Sequence, residues 1–228
     1  MKLSFLLLIV LTLSGLSFAG DKDFDLALES ALAIHDTASS FASEKIALKA
    51  FENVCKKYDD EWLGHYWTAY LYTQVGRLVQ RTSQDEEPMP YIDKAQKHLD
   101  KAAELLVNKT AEQESDIYAL QILVYNFRGW FNEAESEKYK AKAKEAFKKA
   151  VQANSHNPLL YVMSGTNLVS EGQKENDFRK IYAGKILLET AQKKFSETKI
   201  ARSQTTHWNS EWLPFWIPHA EKLLAGES

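Results

Sequence analysis

The side chains that most often bind metals or act as nucleophiles are scarce in this chain and lie far apart in sequence. There is one cysteine, Cys55, and there are six histidines, at positions 35, 65, 98, 156, 207 and 219. No two of these residues have the helical or loop spacing of a metal-binding motif. Glu61 and His65 are four residues apart and would suit half a metal site, but such a pair is more typical of a helix surface.

Catalytic signatures with a local spacing are also missing. The sequence has no GxSxG, no glycine-rich phosphate loop and no HExxH. We therefore predict a protein that is not an enzyme and has no catalytic residues, metal or cofactor, although distant residues can still converge in three dimensions. Since Cys55 is alone, no disulfide forms within the chain, and a buried, inert thiol is expected.

The N-terminal segment has the pattern of a secretory signal peptide. Lys2 precedes an apolar run, and Ser17-Phe18-Ala19 places small residues where a signal peptidase would cut. A membrane anchor is the alternative, but the strongly apolar part falls short of the ~20 residues that span a bilayer. We predict a signal peptide at 1–19 and one helical domain at 20–228, exported to the periplasm or secreted, with no membrane insertion after cleavage.

Charge and composition narrow the class of protein further. The net charge is −3, and no concentrated basic face suggests a nucleic-acid partner. Glycine and proline are scarce, at nine and five, and most lie between long amphipathic stretches. This composition is typical of an all-α protein.

A small-large-small triple with spacings of four and three recurs along the chain at nearly regular intervals. Its four copies are Ala47-Phe51-Val54, Ala95-Leu99-Ala102, Ala143-Phe147-Ala150 and Gly184-Leu188-Ala191. These spacings put each triple on one stripe of a helix. The small residues let a partner helix approach closely, and the large residue fills the gap between turns.

This pattern resembles the second helix of tetratricopeptide (TPR) repeats. The stretch "YVMSGTNL" resembles the first helix, with Gly165 at the small position, and "SDIYALQILVYNF" with "ANSHNPLLYVMSGTNL" resembles a divergent group of exported bacterial TPR-like proteins. Two features depart from the family: the repeat period is longer than the family's, and Val54 stands at a small position. The resemblance implies a right-handed α-α superhelix, a TPR-like solenoid of about four helix pairs with a C-terminal capping helix.

The helix boundaries follow from the same pattern. The predicted pairs run 22–38 with 43–58, 62–80 with 91–107, 114–130 with 135–153 and 159–171 with 177–196, and a shorter helix covers 209–225. The helix at 62–80 is aromatic on nearly every side, which predicts burial on most faces. The segment "HWNSEWLPFWIP" is interpreted as an end cap over the last pair, with an aromatic ligand box as the alternative.

In TPR-like proteins the first helices line a groove that binds peptides or partner helices. The family's offsets place Tyr66, Tyr70, Gln74 and Thr166 in that groove, although Tyr66 and Tyr70 also suit a core. The main hypothesis is thus an exported scaffold that binds a protein or peptide. The alternatives are a small-molecule or glycan carrier with an aromatic-lined pocket, and a hydrolase whose site is assembled from distant residues. An open groove would favour the first, an enclosed polar pocket the second, and a coupled histidine and carboxylate in a cleft the third.

Overall fold

The computed structural model describes residues 22–82, 85–197 and 204–227. The predicted signal peptide at 1–19 lies outside these residues. The described part of the chain contains nine α-helices and no strand: α1 Lys22–Asp36, α2 Phe41–Lys57, α3 Trp62–Thr82, α4 Met89–Leu105, α5 Ala111–Phe131, α6 Ser136–Ala153, α7 Pro158–Glu175, α8 Phe178–Glu197 and α9 Leu213–Leu224. The all-α prediction is confirmed, and each predicted helix has its counterpart.

Local capping residues explain where several of these helices begin. The Ser40 and Thr110 hydroxyls each accept a hydrogen bond from the backbone N–H three residues later, which caps α2 and α5. Asn157 caps α7, and Pro158 occupies its first turn, where a missing N–H costs nothing. Helices adjacent in sequence pack against each other, α3 also contacts α5, and α5 contacts α7.

The small-large-small stripes lie in the helix interfaces, as predicted, with one exception. Phe51, Leu99 and Leu188 are almost completely buried, and so are the small residues beside them. Phe147 is only partly buried, although Ala143 and Ala150 on either side of it are buried. Phe147 does pack against the core, but its ring also lines an open groove, so the third stripe is covered less completely than the other three.

Helix α3 is the most deeply buried element of the described chain. Every residue from Leu63 to Gly76 is buried. This helix packs against α2, α4 and α5. Burial on all sides agrees with its nearly continuous aromatic and apolar sequence.

Helices α7 and α8 approach each other through two glycines. A Cβ added at Gly165 would lie 2.9 Å from the carbonyl oxygen of Gly184, and one added at Gly184 would lie 2.7 Å from that of Gly165. The two backbones are thus in direct contact, which any larger residue would prevent. No helix in the described residues has the length and apolar character needed to cross a membrane.

Candidate functional site: a C-terminal strap and two clefts

Residues 204–212, here called the strap, lie across the odd-numbered helices. Gln204 donates a hydrogen bond to Asp25 of α1 (3.0 Å), and Thr206 donates one to Asp116 of α5 (2.7 Å). The 3₁₀ turn Trp208–Trp212 within the strap also contacts α7. The strap therefore bridges helices from both ends of the array.

The centre of the strap is anchored on the aromatic side chains of α3. Trp208 is fully buried, stacks on Tyr70 with ring centroids 5.0 Å apart, and donates its indole N–H to the Tyr66 hydroxyl at 2.8 Å. Trp67 donates its own indole N–H to the carbonyl of Thr205 at 2.8 Å. Aromatic stacking and satisfied N–H groups stabilise this contact together.

Asp116 of α5 binds the first part of the strap. Its carboxylate accepts hydrogen bonds from Thr206 Oγ1 at 2.7 Å and from Asn157 Nδ2 at 2.8 Å. Burial raises the pKa of Asp116 to about 6, against the opposing effect of these two donors. The charged form is thus disfavoured here, since it is removed from water without a cation beside it.

The four residues predicted to line a groove separate into two groups. Tyr66 and Tyr70 are fully buried beneath the strap, which agrees with the alternative that they belong to the core. Gln74 and Thr166 line two separate open clefts, one on each side of Trp212. The structure therefore brings Tyr66 and Tyr70 to one cluster, places Gln74 at the buried base of one cleft, and leaves Thr166 partly exposed in the other.

The first cleft, here called the polar cleft, has a volume of about 590 Å³. Its lining includes His35, Glu44, Gln74, Arg77 and Glu211. His35 Nδ1 is 2.9 Å from a Glu44 oxygen, and its Nε2 is 3.5 Å from a Glu211 oxygen, which is an ion-pair distance. Gln74 accepts hydrogen bonds from Arg77 through its amide oxygen, while its buried amide nitrogen has no hydrogen-bond partner among the described residues.

His35 with Glu44 and Glu211 is a histidine coupled to carboxylates in a cleft, which is the arrangement expected of a hydrolase. What His35 can do there depends on whether its ring is protonated. Burial lowers the pKa of His35, but Glu211 and Glu44 more than compensate and raise it to about 9. The two carboxylates thus favour the imidazolium form of His35, which pairs with both of them. The cluster instead ties the strap to α1 and α2 through charge.

The second cleft, here called the apolar groove, has a volume of about 700 Å³ and lies between α5, α6 and α7. Phe147, Met163, Leu168, Trp212 and Trp216 provide most of its apolar wall. Lys140 and Lys144 stand on its α6 side, and Asn126 and Asn167 add amide groups. Rings and a thioether side by side make a surface suited to apolar side chains.

Sequence reasoning missed a third cluster, which lies away from both clefts. Cys55, His65 and His98 come together in space and are close enough to share one metal ion. Their spacing in sequence matches no local metal motif, since each residue belongs to a different helix. Only the packing of α2, α3 and α4 reveals them as a group.

Comparison of the chain with protein-family models, with curated proteins and with solved structures gave no match.

Proposed function

We propose that this protein is an exported, non-enzymatic scaffold that binds an extended peptide segment of a partner protein. In this proposal the helix pairs form a right-handed TPR-like superhelix, and the odd-numbered helices line its concave side. The observation that carries the proposal is the strap, because these helices already hold an irregular segment of the chain through an indole ring and a backbone carbonyl.

The apolar groove is the part of that face where a partner would bind. It begins at Trp212, where the strap ends, and it remains open to solvent. Its aromatic wall suits one or two apolar side chains of the ligand, and Asn126 and Asn167 supply donors and acceptors for a peptide backbone. Lys140 and Lys144 favour an acidic residue next to the apolar ones.

Selection of binding peptides tests this proposal. A random peptide library is displayed, selected on the purified chain, and the enriched peptides are titrated by calorimetry. We expect apolar peptides with an acidic neighbour and a Kd below about 100 μM, a modest affinity for a short extended ligand. Thr166→Arg, which puts a long cation into the groove, should weaken binding at least tenfold, a loss of about 1.4 kcal/mol in binding free energy.

Thr190→Arg is the matched control. Thr190 also lies on a helix, donates its hydroxyl to the carbonyl four residues earlier, and lines neither cleft. Its substitution should leave peptide binding unchanged. The proposal fails if no peptide is enriched, or if the enriched peptides bind the Thr166→Arg and Thr190→Arg chains equally well.

A small-molecule carrier is the second candidate, and the polar cleft favours it. Within the part of the chain that the structure describes, the buried Gln74 amide nitrogen has no acceptor, and Arg77 and three carboxylates line the same cleft. A small polar ligand with an acceptor would satisfy this donor. A panel of sugars and amino acids should then raise the Tm of the wild-type chain and leave that of Gln74→Leu unchanged. An unchanged wild-type Tm across the panel would exclude this candidate.

A further inference from the structure

A cysteine and two histidines from three helices meet where α2, α3 and α4 pack together. Cys55 belongs to α2, His65 to α3 and His98 to α4. One ligand atom from each residue lies within 4.8 Å of those from the other two. The two imidazole Nδ1 atoms are 3.0 Å apart. Across the described ranges, no other three cysteine, histidine or acidic side chains come this close.

The hydrogen bonding of His65 determines which of its ring nitrogens has the lone pair that a metal would bind. His65 Nε2 is 3.1 Å from the carbonyl oxygen of Asp59, which only accepts hydrogen bonds, so Nε2 carries the hydrogen. The neutral ring then has a lone pair at Nδ1, the atom that faces His98. Metal-binding histidines almost always donate their other N–H to a carbonyl or carboxylate in this way.

Cys55 has a partner that suits both the thiol and the thiolate. Thr68 Oγ1 is 2.8 Å from the Gly64 carbonyl and 3.0 Å from Cys55 Sγ, and its side chain is fully buried. While Thr68 donates to Gly64, its oxygen accepts the thiol hydrogen. After the thiol loses its proton, the same hydroxyl can rotate and donate to the thiolate, which is the form that binds metals.

The third residue, His98, has a fixed ring orientation. It also lies on the side from which a metal ion could enter the cluster. Its ring stacks on Tyr72 at 5.5 Å, and the Tyr72 hydroxyl donates to Glu52. Cys55 and His65 are buried, whereas His98 is only half-buried. An ion would therefore reach the cluster past His98.

We propose that Cys55, His65 and His98 bind one transition-metal ion of the class selected by thiolate and imidazole ligands, such as Zn²⁺. Tetrahedral Zn²⁺ with Zn–N near 2.0 Å and Zn–S near 2.3 Å requires ligand separations of about 3.3 Å between nitrogens and about 3.6 Å between nitrogen and sulfur. Side-chain movements of about 1 Å bring the three atoms to those separations. Three protein ligands leave a fourth position for water or another ligand.

The bound ion would join three consecutive helices. Cys55 is near the end of α2 and His65 is in the first turn of α3, so the metal would fix the turn between these helices and attach it to α4. Binding through both Nδ1 atoms releases the thiol proton, moves the hydrogen that joins these two atoms to Nε2 of His98, and adds its free energy to that of folding.

Metal titration of the untagged full-length chain tests this proposal. The protein is stripped with a chelator, and Zn²⁺ is added in competition with a chromophoric chelator. We expect one equivalent of Zn²⁺ per chain with a submicromolar Kd, and a higher Tm with the metal. Co²⁺ should give the charge-transfer absorption of a cobalt–thiolate bond. X-ray absorption of the zinc form should show one sulfur and two nitrogen ligands.

Three substitutions show whether Zn²⁺ binds at this cluster or at another place on the chain. Cys55→Ser and His98→Gln should each weaken Zn²⁺ binding at least 100-fold, and Cys55→Ser should abolish the cobalt–thiolate band. His156→Ala removes an exposed histidine and should leave both unchanged. Because His98 is half-buried, His98→Gln remains informative even if Cys55→Ser does not fold, which circular dichroism would reveal.

The proposal is overturned if the wild-type chain binds no Zn²⁺ below about 10 μM. It is also overturned if His98→Gln binds as tightly as the wild type, or if the cobalt complex lacks the thiolate band. In each case the three residues would be a buried hydrogen-bonded cluster. Failure of peptide binding at the apolar groove would leave this result unaffected, since the two sites share no residue.

Discussion

The contact between α3 and the strap differs in kind from the contact between α7 and α8. The first is built from large rings and buried hydrogen bonds, with Trp208 stacked on Tyr70 and bonded to Tyr66. The second is a close contact between two backbones, which is possible because Gly165 and Gly184 have no side chains. The α3–strap interface depends on rings and hydrogen-bonding groups that fit each other, whereas the α7–α8 interface depends on the absence of side chains between the helices.

This difference determines what each interface tolerates. Removal of a ring from the α3 interface leaves a cavity and unpaired polar groups, because Tyr66 and Tyr70 remain buried. Addition of a single carbon to the α7–α8 interface forces two helices apart, because the opposing atoms include backbone atoms that cannot rotate away. The first region should therefore be most sensitive to truncation and to pH, and the second to enlargement.

The largest effect is expected from Trp208→Ala. Loss of a fully buried indole should lower the free energy of unfolding by roughly 3–5 kcal/mol, measured by urea denaturation. Trp130→Ala is the control, since Trp130 is 59% exposed on α5 and its loss should cost ~0.5 kcal/mol or less. Similar losses for the two substitutions would mean that the strap adds little to stability.

The second prediction is a pH dependence of the free energy of unfolding that arises from Asp116, which binds the strap. Because burial raises the pKa of Asp116 to about 6, the native state binds this proton more tightly than the unfolded chain does. The contribution of Asp116 to stability should thus fall by ~2 kcal/mol as pH rises from about 4 to about 6, and by ~3 kcal/mol over the full transition, at about 1.36 kcal/mol per pKa unit.

Urea denaturation of the wild type and Asp116→Asn between pH 4 and 7 measures this contribution as a difference. Asparagine can still bond to Thr206 and Asn157, but it does not titrate. Parallel pH profiles for the two chains would show that Asp116 titrates normally.

The third prediction concerns the α7–α8 interface, where a smaller loss of stability is expected. Gly184→Ala should lower the free energy of unfolding by ~1–2 kcal/mol, because overpacking outweighs the better helix propensity of alanine. Gly64→Ala in α3 is the matched change, since its added Cβ would meet only side chains, the nearest at 3.3 Å. Equal results at Gly64 and Gly184 would show that backbone contact does not determine the cost of an added Cβ.

The smallest effect is expected from Phe147→Ala. As its ring is only partly buried at the edge of the apolar groove, its loss should cost ~1 kcal/mol in urea denaturation. Phe51→Ala removes the corresponding, fully buried residue of the first stripe and should cost roughly 3–5 kcal/mol. A cost above ~3 kcal/mol for Phe147→Ala would show that the groove is closed.

The helices and their interfaces are largely predictable because their signals are local. Spacings of four and three place residues on one stripe, and the sequence alone puts Gly165 and Gly184 at small positions of their helices, where the structure shows backbone contact. Phe147 packs against the core, but its partial burial was not predictable, because a stripe shows which face of a helix turns inward and gives no information on how completely the neighbours cover that face.

The candidate site is far less predictable, because it depends on contacts between distant parts of the chain. The aromatic pattern around Trp208 predicts a cap for the last helix pair, and Trp212 and Trp216 do pack against that pair. Nothing local indicates that Trp208 reaches Tyr66, 142 residues earlier, or that Glu211 meets His35. The same applies to the contact between the two histidines of the proposed metal site, which come from different helices.

The strap also governs the order in which the chain can complete its fold. Most contacts in a row of helix pairs join neighbours, so such a row can form from one end and fray from the other. Here the packing around Trp67, near the beginning, requires Thr205, which is 138 residues later. The first helices therefore complete their core only after nearly all of the chain has been synthesised, and the two ends should unfold together rather than one at a time.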